Sequence, residues 1–73
     1  MHYYDFNDAI SWINDHEKKA SLIINGIERI YYKSKQGFII CIPNNKDHLA
    51  YIVKEFHLDA ILSKDWILLD EGN

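Results

Sequence analysis

The fold is decided by residues 20–33, which read ASLIINGIERIYYK. Two runs of aliphatic and aromatic residues flank the dipeptide Asn25-Gly26. Asn-Gly is the strongest short signal for a two-residue hairpin, because a type I′ turn needs a positive φ at both central positions. The stretch therefore predicts a β-hairpin with strands over residues 20–24 and 27–33.

The sheet is predicted to continue on the C-terminal side of this hairpin. Residues 34–37, SKQG, predict a second turn. Residues 38–42, FIICI, predict a third strand that ends at Pro43, because proline cannot donate to a ladder of hydrogen bonds. Residues 66–69, WILL, predict a final strand.

Helices are predicted where apolar residues recur at i, i+3, i+4 and i+7. The first covers residues 6–17, with Asp5 placed to cap it and a stripe of Phe6, Ala9, Ile10 and Ile13. The second covers residues 47–57, with a stripe of Leu49, Ile52, Val53 and Phe56. A short turn of helix or a loop is predicted at residues 60–62. The expected fold class is α+β: a small antiparallel sheet, made of a three-strand meander plus a C-terminal strand, packed with two amphipathic helices.

Size and composition limit the function classes. The 73 residues are expected to form a single domain, 1–73, with a tail from about residue 70. A net charge of −3 argues against a nucleic-acid binder, and no apolar run approaches the ~18 residues that span a bilayer. The single cysteine, Cys41, cannot form an internal disulfide and is expected to be a buried thiol. We expect a cytoplasmic protein.

Two segments predict self-association. Residues 38–42 are apolar at every position, and residues 66–69 are too. A sheet with one solvated face should alternate apolar and polar residues. Since two helices can cover one face of a small sheet, the second face needs another chain. We therefore expect a homo-oligomer, either a two-fold dimer or a dimer of dimers.

The sequence contains no recognisable catalytic or metal-binding motif. The four histidines lack the spacing of zinc or iron sites, and no serine has the glycine elbow of a hydrolase. The three glycines form neither a P-loop nor a dinucleotide motif. No metal, no cofactor and no enzymatic activity are expected.

One strand carries candidate ligand-binding residues. Alternation places Arg29, Tyr31 and Lys33 on one face, and Ile30 and Tyr32 on the other, which is expected to point into the core. The guanidinium fork of an arginine suits bidentate recognition of phosphate or carboxylate, and a tyrosine ring two residues on could stack beside the bound group. The alternative is an ion pair and an exposed aromatic ring on a solvated sheet face.

Three segments together resemble a phage family, the second type of Thoeris anti-defence protein. The segment Phe6-Asn7-Asp8-Ala9-Ile10 resembles its opening helix, and Lys18-Lys19 resembles its basic step into the first strand. Residues 60–68, with Asp65-Trp66 ahead of the last strand, resemble its closing segment. The resemblance implies that Phe6, Ala9, Asp65 and Trp66 are fold markers. It also implies a small homo-oligomeric sponge, active in the host cytoplasm, that sequesters a cyclic-nucleotide-type immune signal.

The sequence therefore leaves three candidate functions. The first is sequestration of a nucleotide-type signalling molecule by Arg29, Tyr31 and Lys33 without catalysis. The second is a small inhibitor that binds a host defence or toxin protein directly. The third, an enzyme of unrecognised type, is disfavoured by the missing motifs.

Overall fold

The computed structural model describes residues 2–69, so the predicted tail from about residue 70 lies outside the described residues. The elements follow in the order α1 (Phe6–Asp15), β1 (Lys19–Ile24), β2 (Ile27–Lys33), β3 (Ile39–Pro43), β4 (Tyr51–Ile52), α2 (Leu58–Leu62) and β5 (Ile67–Leu69). Within these residues, five strands form one antiparallel sheet in the order β4-β3-β2-β1-β5. The predicted fold class, a small antiparallel α+β sheet with two helices, is confirmed.

The hairpin that opens the sheet forms as predicted. Asn25 and Gly26 have φ values of 52° and 77°, which are the positive angles that a type I′ turn requires. The turn fixes the register of β1 against β2, pairing Ile24 with Ile27 and Ala20 with Tyr31. This register decides which side chains of the two strands share a face.

Helix α1 starts at its predicted residue and ends earlier than predicted. The Asp8 N–H donates to Asp5 Oδ1 at 2.9 Å, so Asp5 caps the helix. The helix ends at Asp15 because Glu17, expected to be helical, has a φ of 55°. Ala9 and Ile13 are buried against the sheet.

The predicted helix over residues 47–57 is wrong. Tyr51–Ile52 instead form strand β4, and the Val53 N–H donates to the Ile39 carbonyl at 2.8 Å. Tyr, Ile and Val are the residue types that favour strands, and the edge of β3 offers unpaired backbone groups to them. Leu49, assigned to the helical stripe, is 86% exposed. The second helix is the five-residue α2 at Leu58–Leu62, where a turn of helix or a loop was expected.

Trp66 joins the helical layer to the sheet. It is completely buried, its Nε1–H donates to the Ala60 carbonyl at 3.0 Å, and its backbone pairs with Tyr4. The final strand therefore begins one residue later than predicted, at Ile67. No helix among residues 2–69 is long and apolar enough to cross a membrane.

Candidate ligand-binding site

The three residues predicted to bind a ligand share a face of β2, but it is the face beneath the helices. Tyr31 is only 3% exposed and belongs to the core cluster. The expectation that Ile30 and Tyr32 point into the core is therefore wrong: both are half-buried and lie on the opposite face. The hairpin register explains this, because Tyr31 shares its face with Ala20, against which α1 packs.

Tyr31 is surrounded by other aromatic rings. Its ring centroid lies 5.1 Å from that of Trp66 and 5.5 Å from that of Phe56. Phe6 completes the cluster, 6.1 Å from Trp66 and 5.1 Å from Phe56. Burial, followed by the neighbouring Cys41 thiol, raises the pKa of Tyr31 above its ordinary value of 10.0. The predicted role of this ring as a stacking surface would require a ligand to displace core neighbours.

Arg29 lies on the same face, where the core ends. Its cross-strand neighbours are Leu22 and Pro43, whose side chains offer no acceptor. The Nη1–H donates to the Tyr51 hydroxyl at 3.4 Å, and Nε is buried without a hydrogen-bond partner among residues 2–69. Buried polar groups are nearly always hydrogen-bonded, and unpaired ones call for an explanation. A planar guanidinium with spare donors is suited to hold a carboxylate or phosphate.

Tyr51 lies beside Arg29, and the sequence did not predict this contact. Strand β4 places it opposite Cys41, which in turn lies opposite Tyr31. A hydrogen bond with the Cys41 thiol, followed by burial, raises the pKa of Tyr51, while Arg29 acts in the opposite direction. The site thus contains one cation beside two neutral hydroxyl groups and a thiol. Tyr51 was missed because residues 47–57 were read as a helix.

Lys33 lies apart from Arg29. Its Nζ donates to Asn14 Oδ1 at 2.9 Å, near the end of α1. Lys33 lies four positions along the strand from Arg29, a distance of roughly 13 Å, with the buried Tyr31 between them. Lys33 lines a different cleft, of about 470 Å³, together with Glu17, Ser34, Lys35, Gln36 and Gly37. One small group cannot contact both cations.

The predicted fold markers are split between core and surface. Ala9 and Trp66 are fully buried and Phe6 packs against the core. Asp65 is exposed, and its N–H donates to the Ser63 hydroxyl at 3.1 Å in the turn before β5. It lines a shallow groove of about 360 Å³ with Tyr3, Ile23 and Ile67.

The histidine, cysteine and acidic side chains do not converge. Over residues 2–69, no group of three or more of them could hold a metal ion. Cys41 is buried in the core and lies in register between Tyr31 and Tyr51 on the neighbouring strands.

Fold and site together define a small antiparallel α+β protein with an arginine at the rim of its core that has no ion-pair partner within residues 2–69. No family model, no curated protein and no solved structure matches the chain.

Proposed function

We propose that this protein binds a small nucleotide-type anion at Arg29 and sequesters it without converting it. The observation that carries the proposal is the unpaired guanidinium. Within residues 2–69, Arg29 has one long hydrogen bond, to Tyr51, and no carboxylate within ion-pair distance. Leaving a half-buried cation without a counter-charge is costly, and a bound anion would remove that cost.

The surroundings of Arg29 favour a ligand with both an anionic and a planar part. Tyr51 is partly exposed beside the guanidinium, so its ring and hydroxyl are available next to a bound phosphate. Aromatic rings and arginine forks recur where proteins bind nucleotides. Lys33, at the far end of β2, could reach only an extended ligand. The resemblance to phage sponges supports an immune signal as the ligand and the host cytoplasm as the place of action.

The test is thermal unfolding with cyclic ADP-ribose and, separately, a cyclic dinucleotide as probes. A ligand at 100 times its Kd stabilises by about 2.7 kcal/mol, which for a domain of this size raises the Tm by roughly 10 °C or more. Arg29→Gln should weaken binding roughly 10- to 100-fold, because bonds to a charged group are lost. Lys64→Gln removes a charge from the α2–β5 connection and should leave binding unchanged.

The fate of the bound molecule separates a sponge from an enzyme. The complex is denatured after overnight incubation, and the released molecule is weighed by mass spectrometry. Sequestration predicts recovery of the intact probe. A cleaved or hydrolysed product would make the protein an enzyme, and the absence of a Tm shift with both probes would remove the support for a nucleotide ligand.

A direct inhibitor of a host protein is the second candidate, and the surface of α2 favours it. Leu58 and Leu62 are 67% and 68% exposed, and Ile61 lines a cavity of about 310 Å³ beside Phe6. Capture of a stoichiometric host protein that survives Arg29→Gln and is lost in Leu62→Lys would support this function over the first.

A further inference from the structure

Within residues 2–69, the sheet face opposite the helices is largely apolar, and no helix covers it. We call it the open face, and it carries Lys19, Ser21, Ile23, Glu28, Ile30, Tyr32, Ile40, Ile42, Ile52, Ile67 and Leu69. The core cluster contains none of these side chains, and no hydrophobic member of this set packs against it. Ile23 is 60% exposed and Ile52 48% exposed. Isolated exposed apolar side chains are normal, but a contiguous patch of this kind marks an interaction site.

Three polar side chains of the open face, Ser21, Glu28 and Lys19, have partners within it. The Ser21 hydroxyl donates to Glu28 Oε2 at 3.4 Å, and Ser21 is fully buried among its neighbours. The Lys19 ammonium lies 5.8 Å from the centroid of the Tyr32 ring. Ser21, at the centre of this face, therefore already has a hydrogen-bond partner and would not be left unpaired by a covering molecule.

We propose that a second copy of the chain covers the open face, sheet against sheet, around a two-fold axis. Two sheets with apolar inner faces pack about 10 Å apart, and this is one of the few stable ways to complete a layered domain. In the resulting particle the order of layers is helices, sheet, sheet, helices. Each copy closes one face of its sheet with its own helices and the other with its partner.

The charges on the open face fit two-fold symmetry. Ser21 pairs with Ile30 near the centre; Lys19 lies two residues from Ser21 in one direction along the strands, and Glu28 lies two residues from Ile30 in the other. A two-fold axis that runs between the two sheets, across the strands at the Ser21–Ile30 pair, places the Lys19 end of one copy over the Glu28 end of the other. It brings Lys19 of each copy next to the other copy's Glu28, so the opposite charges meet twice.

The size of the face matches the requirement of a stable dimer. The molecule measures 29 × 28 × 26 Å. One face of such a particle offers roughly 600–800 Å², close to the ~800 Å² that each partner buries in an interface of standard size. Arg29 lies on the other side of the sheet, under the helices, so this inference does not rest on the proposed ligand.

Sedimentation equilibrium on the full chain tests the proposal. The wild type should sediment with a mass of about 17 kDa, twice the 8.7 kDa of one chain. Ile23→Lys and Ile42→Lys should each raise the dimer dissociation constant at least about 100-fold, because a charge would be buried in the interface. The matched control is Leu58→Lys, at a similarly exposed leucine of α2, which should leave the mass unchanged.

A charge exchange tests the two-fold register. Lys19→Glu should weaken the dimer by repulsion from the second copy's Glu28, and adding Glu28→Lys should restore it. Circular dichroism checks that each variant remains folded. A wild-type mass of one chain at millimolar concentration would overturn the proposal. So would dissociation by Leu58→Lys but not by Ile23→Lys, and a charge exchange that fails to restore the dimer would overturn the register.

Discussion

At the residue scale, the neighbourhood of Tyr31 holds both the core and the proposed site. The ring packs against Trp66 and Phe56, while the hydroxyl lies with Cys41, Tyr51 and Arg29. Strand alternation was enough to place Arg29, Tyr31 and Lys33 on one face. It could not decide which face α1 would cover, because that depends on how Ala9 and Ile13 pack against both strands of the hairpin.

The raised pKa of Tyr31 predicts a loss of stability in alkali. An unfolded tyrosine ionises at about 10, and burial raises the pKa of Tyr31 in the folded protein above that value. The protonated form is therefore favoured by folding. Its contribution to the free energy of unfolding is complete below pH 10 and is lost as the pH rises from 10 towards the folded value.

Urea unfolding at several pH values between 8 and 11 measures this loss. Tyr31→Phe should make the decline above pH 10 shallower, since phenylalanine has no proton to lose, while Tyr51, whose pKa is also raised, accounts for part of the decline that remains. Tyr3→Phe, at an exposed ring, is the control and should leave the decline as it is in the wild type. Equal slopes for Tyr31→Phe and the wild type would show that Tyr31 is not the group responsible.

At the element scale, the sequence correctly predicted the features that depend only on residues close together in the chain. Asn25-Gly26 gave the hairpin because its positive φ values are a property of the dipeptide itself. Asp5 gave the start of α1 for a similarly local reason. Residues 47–57 failed because their apolar spacing fits a helix, while the choice of a strand depends on the distant edge of β3, which needs a partner. The surroundings of Arg29 could not be predicted either, because they depend on the residues that the neighbouring strands place beside it.

Hydrogen exchange distinguishes strand β4 from the helix that the spacing suggested. The Val53 N–H donates to the Ile39 carbonyl, so its amide should exchange at least about tenfold more slowly than that of Leu49. A helix over residues 47–57 would instead protect a continuous run of amides from residue 51 to residue 57. Residue-resolved exchange by NMR separates the two patterns, and continuous protection would contradict the strand.

At the scale of the whole molecule, the proposed dimer would make each sheet one half of a sandwich. Its helices cover one face, while the other face carries isoleucines that a lone chain exposes to water. A chain of this size buries only about 60% of the surface that its unfolded form exposes, so it gains much from a partner. Self-association through the open face, as proposed, would leave the rim around Arg29 accessible on both outer sides of the dimer.

Small-angle X-ray scattering over a concentration series tests this arrangement most directly. Two copies packed sheet to sheet should have a radius of gyration of about 15 Å and twice the mass of one chain. Ile23→Lys should return the particle to the single-chain value. A wild-type radius that stays close to the 11.5 Å of one chain, with the mass of one chain at every concentration, would contradict the account.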